Sequence, residues 1–373
     1  MIPLYIFFAS IYVFRFFFFL LGNLKSDYIV NKHFNSTTEN DKFVSIIVPA
    51  RNEENTITNC VVSIMKSSFP QTQFEVIVVD DRSTDSTYEI LTTLLNQYPN
   101  LKIVKISDDS EKNGIPGKPG ALHVGIQSAK GDIILMTDAD CTVHSRWIES
   151  MTNSFLENEL IGMVASFTLI NEHTFFHKMQ AIEWIQAHTL ARGGVNMNSP
   201  IGCFGNNIAV RKKAYEDLGG YERIPFSVTE DLALLQAMAK STWSIRYICN
   251  EFATVSTEPE YTISGFLKQH KRWAVGGLSL KWKAALLITY SASMWIAVIL
   301  ASINLDFLWL GILIGIKFLT DFLLVNVSFN RLNSRHNTWF LVGEVFMILV
   351  EIVVPFLMIS KTVHWKGQTF KKS

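Results

Sequence analysis

The sequence of 373 residues predicts an α/β domain with a mostly parallel sheet, flanked on both sides by membrane helices. Short β-branched runs alternate with segments of helical spacing in the middle of the chain, which is the pattern of βαβ units. Apolar stretches of about the ~20 residues that a spanning helix needs stand on either side of this region. The formal net charge is zero, so the composition indicates no nucleic-acid partner.

Hydropathy divides the chain into four parts. The charged fraction is 18%, whereas soluble chains carry about 25%. The predicted parts are an N-terminal transmembrane anchor (1–24), a cytosolic α/β domain that ends in an interfacial helix (25–283), a C-terminal membrane region with three candidate spans (284–360) and a basic tail (361–373). A polar stretch at 35–41 is expected to link the anchor to the domain. The chain is therefore predicted to be an integral protein of the plasma or inner membrane.

The first part reads as a retained anchor. Residues 2–24 are almost all aliphatic or aromatic, interrupted by Arg15. A cleaved signal peptide would show early basic residues and a small-residue cleavage site, and neither is evident. Lys25 and Lys32 follow the apolar stretch, which by the positive-inside rule places the downstream domain in the cytosol.

The C-terminal region contains three candidate spans, at 284–303, 307–327 and 339–359. The middle one carries Lys317 and Asp321 one helical turn apart, and we predict an internal ion pair between packed helices, with a substrate role as the alternative. Three spans after a cytosolic domain would place the end of the chain outside the cell, whereas a lysine-rich tail suits the cytosolic side. We therefore expect one segment, with 339–359 as the candidate, to be interfacial or re-entrant.

The α/β domain is predicted from strands and helices in alternation. Apolar runs at 43–48, 74–79, 101–106 and 132–136 have the composition of buried parallel strands. Segments with helical spacing lie between and after them, at 53–67, 83–95 and 120–129. In open α/β sheets, ligands bind beyond the carboxyl ends of the strands. The residues that follow each strand are therefore the candidates for chemistry.

Carboxylates follow three of the predicted strands. Glu53 follows the first predicted strand, Asp81 follows the second, and Asp138 and Asp140 follow the fourth. Like charges that meet at one edge repel each other, and a hard cation with oxygen ligands relieves the repulsion. The sequence therefore predicts a site for Mg²⁺ or Mn²⁺. The four cysteines form no CxxC pair, so we expect them to be reduced and predict no zinc site.

In this order, the motifs resemble those of the family two glycosyltransferases, which have the GT-A fold. The resemblance covers residues 44–277 and rests on the motifs VSIIVPARNEE, VVDDRSTDST, GKPGAL, TDAD, TED and QHKRW. For the donor, the resemblance implies that Ala50 and Glu53 line the pocket of the nucleotide base and that Asp81 forms a hydrogen bond with the base. It places Lys118 near the donor and Asp138 near the ribose and the sugar. It also implies that Asp138 and Asp140 form the metal site.

The last two motifs imply the acceptor half of a site. Asp231 of the TED motif is implied as the catalytic base and Glu230 as an acceptor contact, with Thr229 expected to cap the helix that follows. In the QxxRW motif, Gln269, Arg272 and Trp273 would share one helical face. Arg272 is expected to bind the donor diphosphate, and Gln269 and Trp273 to bind the acceptor.

Two further segments resemble family features. Gly205 and Asn207 fall in a segment that resembles the acceptor-side loop of the family. The stretch at 365–368 resembles a WKGR-type tail, but Gln368 stands where arginine is usual, so a charge role for that position is in doubt.

The resemblance implies an inverting transferase that moves a hexose-type sugar from a nucleotide sugar, most simply a UDP-sugar, to a lipid or lipid-linked acceptor at the cytosolic membrane face. A processive polysaccharide synthase is the alternative within this class. A non-catalytic membrane scaffold with an inactive transferase domain is the alternative outside it. A sugar nucleotidyltransferase is disfavoured, because such enzymes open with a GGxGTR-type loop that this chain lacks.

Overall fold

The computed structural model describes residues 1–33, 42–360, 362–365 and 368–371. The predicted linker at 35–41 lies outside these residues, and so do positions 361, 366–367 and 372–373 of the predicted basic tail. The described strands are β1 (Val44–Ala50), β2 (Phe74–Asp81), β3 (Leu101–Ile106), β4 (Ile133–Met136), β5 (Cys141–Val143), β6 (Ile161–Ala165), β7 (Thr168–Ile170), β8 (Ile208–Arg211), β9 (Ser244–Tyr247), β10 (Val255–Thr257), β11 (Thr362–Trp365) and β12 (Gln368–Lys371).

The described α-helices alternate with the strands in the central part of the chain and dominate both flanks. They are α1 (Ile2–His33), α2 (Ile57–Met65), α3 (Thr87–Leu95), α4 (Gly117–Ser128), α5 (Trp147–Glu157), α6 (Phe175–Asn196), α7 (Lys212–Asp217), α8 (Gly220–Arg223), α9 (Glu230–Ala239), α10 (Ile263–Gly277), α11 (Trp282–Ile303), α12 (Phe307–Arg331) and α13 (Phe340–Leu357).

The central sheet has seven strands in the order β3-β2-β1-β4-β8-β6-β9. β1 runs parallel to β2 and β4, and β2 runs parallel to β3. β8 is antiparallel to both of its neighbours, while β6 and β9 are parallel to each other. The predicted mostly parallel α/β sheet is thus confirmed. A second sheet, in the order β5-β10-β7, and the hairpin β11–β12 complete the strand pairing in the part described.

Helices cover both faces of β1, β2 and β4, which explains why these strands are almost entirely buried. One face packs against α2 and α3 through the even positions of β1, including Ile46 and Val48. The other face packs against α4, where Gly125 lies so close that an added Cβ would be 2.5 Å from Ile47. A side chain at this position would push α4 off the sheet. The helix predicted at 120–129 corresponds to α4, which begins at Gly117, three residues earlier than predicted.

Within the described parts of the chain, four helical segments are long and apolar enough to cross a membrane: α1, α11, α12 and the segment that ends in α13. The predicted ion pair is confirmed, with Lys317 Nζ at 2.9 Å from Asp321 Oδ2. The same ammonium lies 2.6 Å from Glu344 Oε1 of α13, and the hydroxyl of Tyr12 in α1 donates to Asp321 over 2.6 Å. These buried contacts join three of the apolar helices into one bundle.

The bundle is attached to the α/β domain by α6. Gly22 of α1 crosses Gly193 of α6 so closely that a Cβ on Gly22 would be 2.2 Å from the Gly193 carbonyl oxygen. Beside this crossing, Asn23 donates to the carbonyl of Thr189 over 3.0 Å and accepts from Arg192 over 3.0 Å. The N-terminal helix is therefore packed directly on the domain that carries the predicted site.

The end of α13 stays near the domain. In the first half of α13, Phe346 packs with tilted rings against Phe266 of α10 at 5.5 Å between ring centroids. Strand β11, which follows the helix, also lies against α10. The chain therefore returns to α10 after α13, although this helix is long enough to span a bilayer.

Candidate active site

An open cleft with a cavity volume of about 330 Å³ lies at the carboxyl edge of the central sheet. Eleven of the site residues predicted from the sequence line it: Ala50, Glu53, Asp81, Lys118, Asp138, Asp140, Glu230, Asp231, Gln269, Arg272 and Trp273. Residues that are up to 223 positions apart in sequence thus meet in one place, as the rule for ligand sites in α/β sheets leads one to expect.

The loops after β1 and β2 are held together by backbone-to-side-chain hydrogen bonds. Thr84 N–H donates to the side chain of Asn52 over 2.8 Å, and Glu53 N–H donates to the hydroxyl of Thr87 over 2.8 Å. Asn52 and Arg82 follow the two strands with positive φ values of 57° and 59°. This uncommon conformation for non-glycine residues turns each chain sharply at the cleft edge, and the hydrogen bonds maintain it.

Asp81 is buried and has two cationic neighbours. Arg82 Nε donates to its carboxylate over 2.9 Å and Lys112 Nζ lies 3.2 Å away. Both cations also contact Asp109, at 2.8 Å each. The ion pairs fix the Asp81 side chain at the wall of the cleft. Lys112 is fully buried, and its ion pair with Asp81 was not predicted from the sequence.

Lys118 bridges the two halves of the cleft from the first turn of α4. Its Nζ lies 2.6 Å from Asp138 Oδ1 and 3.0 Å from Glu230 Oε1. Burial opposes the charged form of the lysine, but the two carboxylates outweigh it and raise the pKa of Lys118. Lys118 is therefore a permanent cation between the strand edge that carries Asp138 and the helix that carries Glu230.

Asp138 and Asp140 are suited to a divalent cation in different degrees. One oxygen of Asp138 is held by Lys118, whereas the side chain of Asp140 is exposed at the cleft and contacts the thiol of Cys141 over 3.4 Å. Among the residues described, no group of three or more His, Cys, Asp or Glu side chains is arranged around a common metal position. Two carboxylates completed by substrate phosphates and water fit the way proteins bind Mg²⁺.

Asp231 lies at the start of α9, where two backbone amides donate to its carboxylate. Gly205 N–H donates to Oδ2 over 2.8 Å and Leu232 N–H donates to Oδ1 over 2.7 Å. Burial and the neighbouring charge of Glu230 nevertheless raise the pKa of Asp231 to about 6. A carboxylate with this pKa is ionised at neutral pH and can accept a proton.

Gly205 lies in a sterically tight position beside Asp231. A Cβ on Gly205 would lie 3.2 Å from both Asp231 Cβ and Glu230 Oε1.

Asn207, which was predicted on the acceptor side, does not line the cleft. Its side chain is fully buried and bonds with Trp147, Phe167 and Ala253 instead.

The helix α10 brings the QxxRW residues to the cleft. Trp273 packs against two other aromatic side chains of the cleft, Trp184 at 5.4 Å and Phe204 at 5.7 Å between centroids. His270, on the same helix, is hydrogen-bonded to Glu183 of α6. Burial disfavours the charged imidazole, but Glu183 outweighs this effect and raises the pKa of His270. The pair ties α10 to α6 next to the aromatic wall.

Sequence reasoning missed several cleft residues and misjudged one cap. Trp184, Glu258 and Glu260 line the cleft without belonging to any of the motifs named above, because an aromatic or acidic residue in a helix or loop gives no specific signal. Phe204 also lines it, within the acceptor-side segment in which only Gly205 and Asn207 were singled out. Thr229 precedes α9 as predicted, but its side chain makes no capping hydrogen bond and contacts the hydroxyl of Ser227 at 3.1 Å instead.

Comparison with known proteins establishes the family. The model of glycosyl transferase family 2 matches residues 45–219, and the model of glycosyl transferase family group 2 matches residues 133–357. The chain belongs to the family 2 glycosyltransferases. The second match covers more than half of the chain and extends from the DxD strand through the helices that follow the QxxRW motif.

Curated relatives of this glycosyltransferase include synthases that are named for a glucolipid and for a polysaccharide. The β-monoglucosyldiacylglycerol synthase of Nostoc sp. is 31% identical over 63% of this chain and 49% of its own length. The poly-β-1,6-N-acetyl-D-glucosamine synthase of Staphylococcus epidermidis is 26% identical over 71% of this chain and 63% of its own. The chain thus spans about half to two thirds of the length of these relatives.

Among solved structures, the mannosyltransferase PcManGT from Pyrobaculum calidifontis, in complex with GDP-Man and Mn²⁺, has a TM-score of 0.52 at 16% identity. The match covers 89% of this chain and 99% of that one. At this identity the likeness concerns the fold alone, and it agrees with the GT-A fold predicted from the sequence.

Proposed function

We propose that the chain is an inverting glycosyltransferase that moves a hexose-type sugar from a nucleotide sugar, a UDP-sugar above others, to a lipid or lipid-linked acceptor at the cytosolic membrane face. The observation that carries this proposal is the position of Asp231. A carboxylate with a raised pKa stands in the same cleft as the predicted donor residues and beside an aromatic wall.

The donor half of the cleft would bind the nucleotide. Ala50, Glu53 and Asp81 line its wall, next to the hydrogen-bonded loops that follow β1 and β2. Asp81 is held in place by Arg82 and Lys112. This arrangement supports the roles that the family resemblance implies for these three residues. The carboxylate of Asp138 would face the ribose and the sugar.

The charge of the leaving diphosphate requires cations. Arg272 and Lys118 both line the cleft, and preorganised cations stabilise charge that develops in a transition state. Asp140, together with Asp138, would hold Mg²⁺ or Mn²⁺, which would supply Lewis-acid stabilisation of the diphosphate when bound. Because Lys118 already holds Asp138, Asp140 is the better-placed ligand.

Asp231 would act as the base. It would take the proton from the acceptor hydroxyl as that oxygen forms a bond to the anomeric carbon, and the bond to the diphosphate would break with its electron pair leaving on the diphosphate. A single displacement of this kind inverts the anomeric configuration. Gly205 keeps one carboxylate oxygen oriented through its N–H, while Glu230, Gln269 and Trp273 would contact the acceptor.

The acceptor side of the cleft adjoins the membrane helices. Phe204 follows Ile201 by three residues, and Ile201 packs with Phe19 of α1 and Leu287 of α11. The carbonyl of Pro200 also accepts from Lys283 in the first turn of α11 over 3.3 Å. The loop that supplies the aromatic wall is thus anchored in the apolar bundle, which supports an acceptor presented by the membrane.

A processive polysaccharide synthase is the second candidate. It is favoured by the match to the poly-β-1,6-N-acetyl-D-glucosamine synthase, which covers more of this chain than the match to the glucolipid synthase does. The size of the product separates the two candidates, because a single transfer to a lipid gives one discrete species whereas processive synthesis gives a polymer.

The proposal is tested with the full chain in detergent. A thermal-shift screen of UDP- and GDP-sugars, with Mn²⁺ or with EDTA, identifies the donor, and the same donor in labelled form is then incubated with membranes. We expect a metal-dependent shift and labelled product that is absent from an Asp231→Asn variant. Binding of no nucleotide sugar would contradict the proposal and favour the scaffold alternative, whereas undiminished transfer by that variant would show that a group other than Asp231 is the base.

A further inference from the structure

The two halves of the cleft differ in charge. The acceptor half, as the term is used from here on, is the surface contributed by α6, the loop before β8 and the segment from β10 to α10: Trp184, Phe204, Glu258, Glu260, Gln269 and Trp273. Arg272 of α10 also lines the cleft and is counted with the donor half, to which it is assigned above. The two charged side chains among the six of the acceptor half are both acidic. Among the described residues that line the whole cleft, eight carboxylates face three basic side chains.

The three basic side chains are on the donor side or already engaged. Arg51 follows β1, and Lys118 is paired with Asp138 and Glu230. Arg272 is assigned above to the donor diphosphate. A donor diphosphate and a divalent cation would largely neutralise each other, so an anionic group on the acceptor would still face Asp231, Glu230 and the acidic acceptor half.

Glu258 is held as a carboxylate at the rim of the acceptor half. The hydroxyl of Tyr261 donates to it over 2.6 Å, and the amide of Asn171 donates over 2.7 Å. Burial raises the pKa of this carboxyl, but the hydrogen bonds from Tyr261, Asn171 and His173 outweigh burial and lower it. Negative charge is therefore a fixed property of this surface at neutral pH.

The polar atoms that the acceptor half offers suit a hydroxyl. Trp184 is only 5% exposed and its indole N–H has no hydrogen-bond partner among the described residues. The side-chain oxygen of Gln269 is likewise buried and without a described partner. A hydroxyl can accept from the first and donate to the second, and the rings of Phe204 and Trp273 can cover apolar C–H faces beside it.

We infer that the acceptor is an uncharged, hydroxyl-bearing group, such as the headgroup of a neutral glycerolipid or glycolipid or the end of a neutral glycan, and that anionic headgroups and phosphate-ester polymers are rejected. Juxtaposed like charges suppress wrong partners at an interface, and here the carboxylates supply them. The inference rests on the proposed function and narrows its acceptor class. The bond changes are those given above, with the hydroxyl proton passing to Asp231.

The test compares matched acceptors in micelles of an uncharged detergent, with the full chain and the donor found by the screen. Monoolein and dioleoylphosphatidylglycerol both present a glycerol group with two free hydroxyls, but only the second carries a phosphate charge; dioleoylglycerol and a polyprenyl phosphate extend each class. We expect the best neutral acceptor to be used at least about tenfold faster than the best anionic one, a ratio that corresponds to about 1.4 kcal/mol.

Two results would overturn the inference alone: faster transfer to an anionic acceptor, or donor turnover without transfer to any neutral acceptor. Failure to bind or turn over any donor would instead defeat the proposed function, and the inference with it. The ratio of the two rates is measured on the same preparation, so partial loss of folded protein does not affect it.

A variant tests the origin of the selectivity. Glu258→Gln keeps the shape of the side chain and removes its charge, so the preference for monoolein over dioleoylphosphatidylglycerol should fall by about threefold or more. Glu149→Gln removes a carboxylate outside the cleft, on α5, and should leave the preference unchanged. An unchanged preference in the Glu258 variant would show that the acidic wall does not set the selectivity.

Discussion

Asp231 combines a raised pKa with two backbone donors, and this combination predicts how a single substitution acts. In Asp231→Asn the side chain keeps its size but cannot take a proton, so we expect the turnover number to fall by about 10²–10⁴-fold while the dissociation constant of the donor changes little. Steady-state kinetics and calorimetric titration of the donor measure the two quantities. Asp132→Asn, at an exposed position before β4, is the matched control and should retain normal turnover.

The same carboxylate predicts the pH dependence of transfer. Burial and Glu230 raise the pKa of Asp231 to about 6, and only the deprotonated form can act as a base. Turnover should therefore fall as pH decreases through about 6 and level off above it. A profile of turnover number against pH measures this limb. A flat profile between pH 5 and 7 would mean that another group takes the proton.

Lys118 predicts an effect on stability as well as on binding. Its side chain is 13% exposed and that of its partner Glu230 is 7% exposed, so Lys118→Met leaves a buried carboxylate without its cation. Removing one partner of a buried ion pair costs about 3–5 kcal/mol. Thermal unfolding in detergent should show a large loss for Lys118→Met and a smaller loss for the double variant Lys118→Met/Glu230→Gln. Equal losses in both would show that the pair is not the origin of the effect.

At these positions the sequence was informative where a motif encodes chemistry and silent where three-dimensional packing supplies it. Eight of the eleven predicted residues share one cleft because they end or follow a strand, or open a helix, at the same edge, and the other three lie on one face of α10. Trp184 reaches that cleft through the packing of α6, and the buried Lys112 supports it from behind through Asp81. Nothing in the local sequence of either residue predicts this. Asn207 was predicted near the acceptor, but its side chain forms hydrogen bonds with three buried groups away from the cleft.

At the scale of elements, the crossing of α1 and α6 depends on glycine. A Cβ on Gly22 would meet the Gly193 carbonyl at 2.2 Å, whereas a Cβ on Gly315 of α12 would meet nothing within 4 Å. Gly22→Leu should therefore force α1 away from α6 and destabilise the protein by about 1–3 kcal/mol, while Gly315→Leu should have little effect. Thermal melting in detergent, followed by size-exclusion chromatography, measures both.

Helix boundaries were predicted less well than helix existence, for local reasons. The helix expected at 53–67 begins only at Ile57, because Glu53 and Glu54 direct their N–H groups to Thr87 and Asp85 in the neighbouring loop. α4, in contrast, begins early at Gly117. These contacts between loops that are distant in sequence decide where a helix starts, and hydrophobic spacing does not record them.

At the scale of the whole molecule, the number of crossings can be argued from contacts. α11 and α12 are joined by a short turn in which Leu305 is 70% exposed, so this turn should lie on the side opposite the α/β domain. After α13, strand β11 lies against α10, and α10 carries cleft residues. We therefore expect α13 to enter the apolar bundle without a full crossing, as the lysine-rich tail suggested.

Cysteine labelling in intact cells tests this topology, and the native cysteines are suited to it because Cys60, Cys141, Cys203 and Cys249 are all buried. With a membrane-impermeant maleimide, Leu305→Cys should be labelled from outside. Thr362→Cys should be labelled only after the membrane is permeabilised. The same is expected of the control variant Lys240→Cys, on the surface of the α/β domain. The reagent would reach all three positions alike only if the membrane were damaged, so the contrast between Leu305 and Lys240 verifies the assay. Labelling of Thr362→Cys from outside would show that α13 crosses completely, and the contact between β11 and α10 would then be incompatible with a bilayer between them.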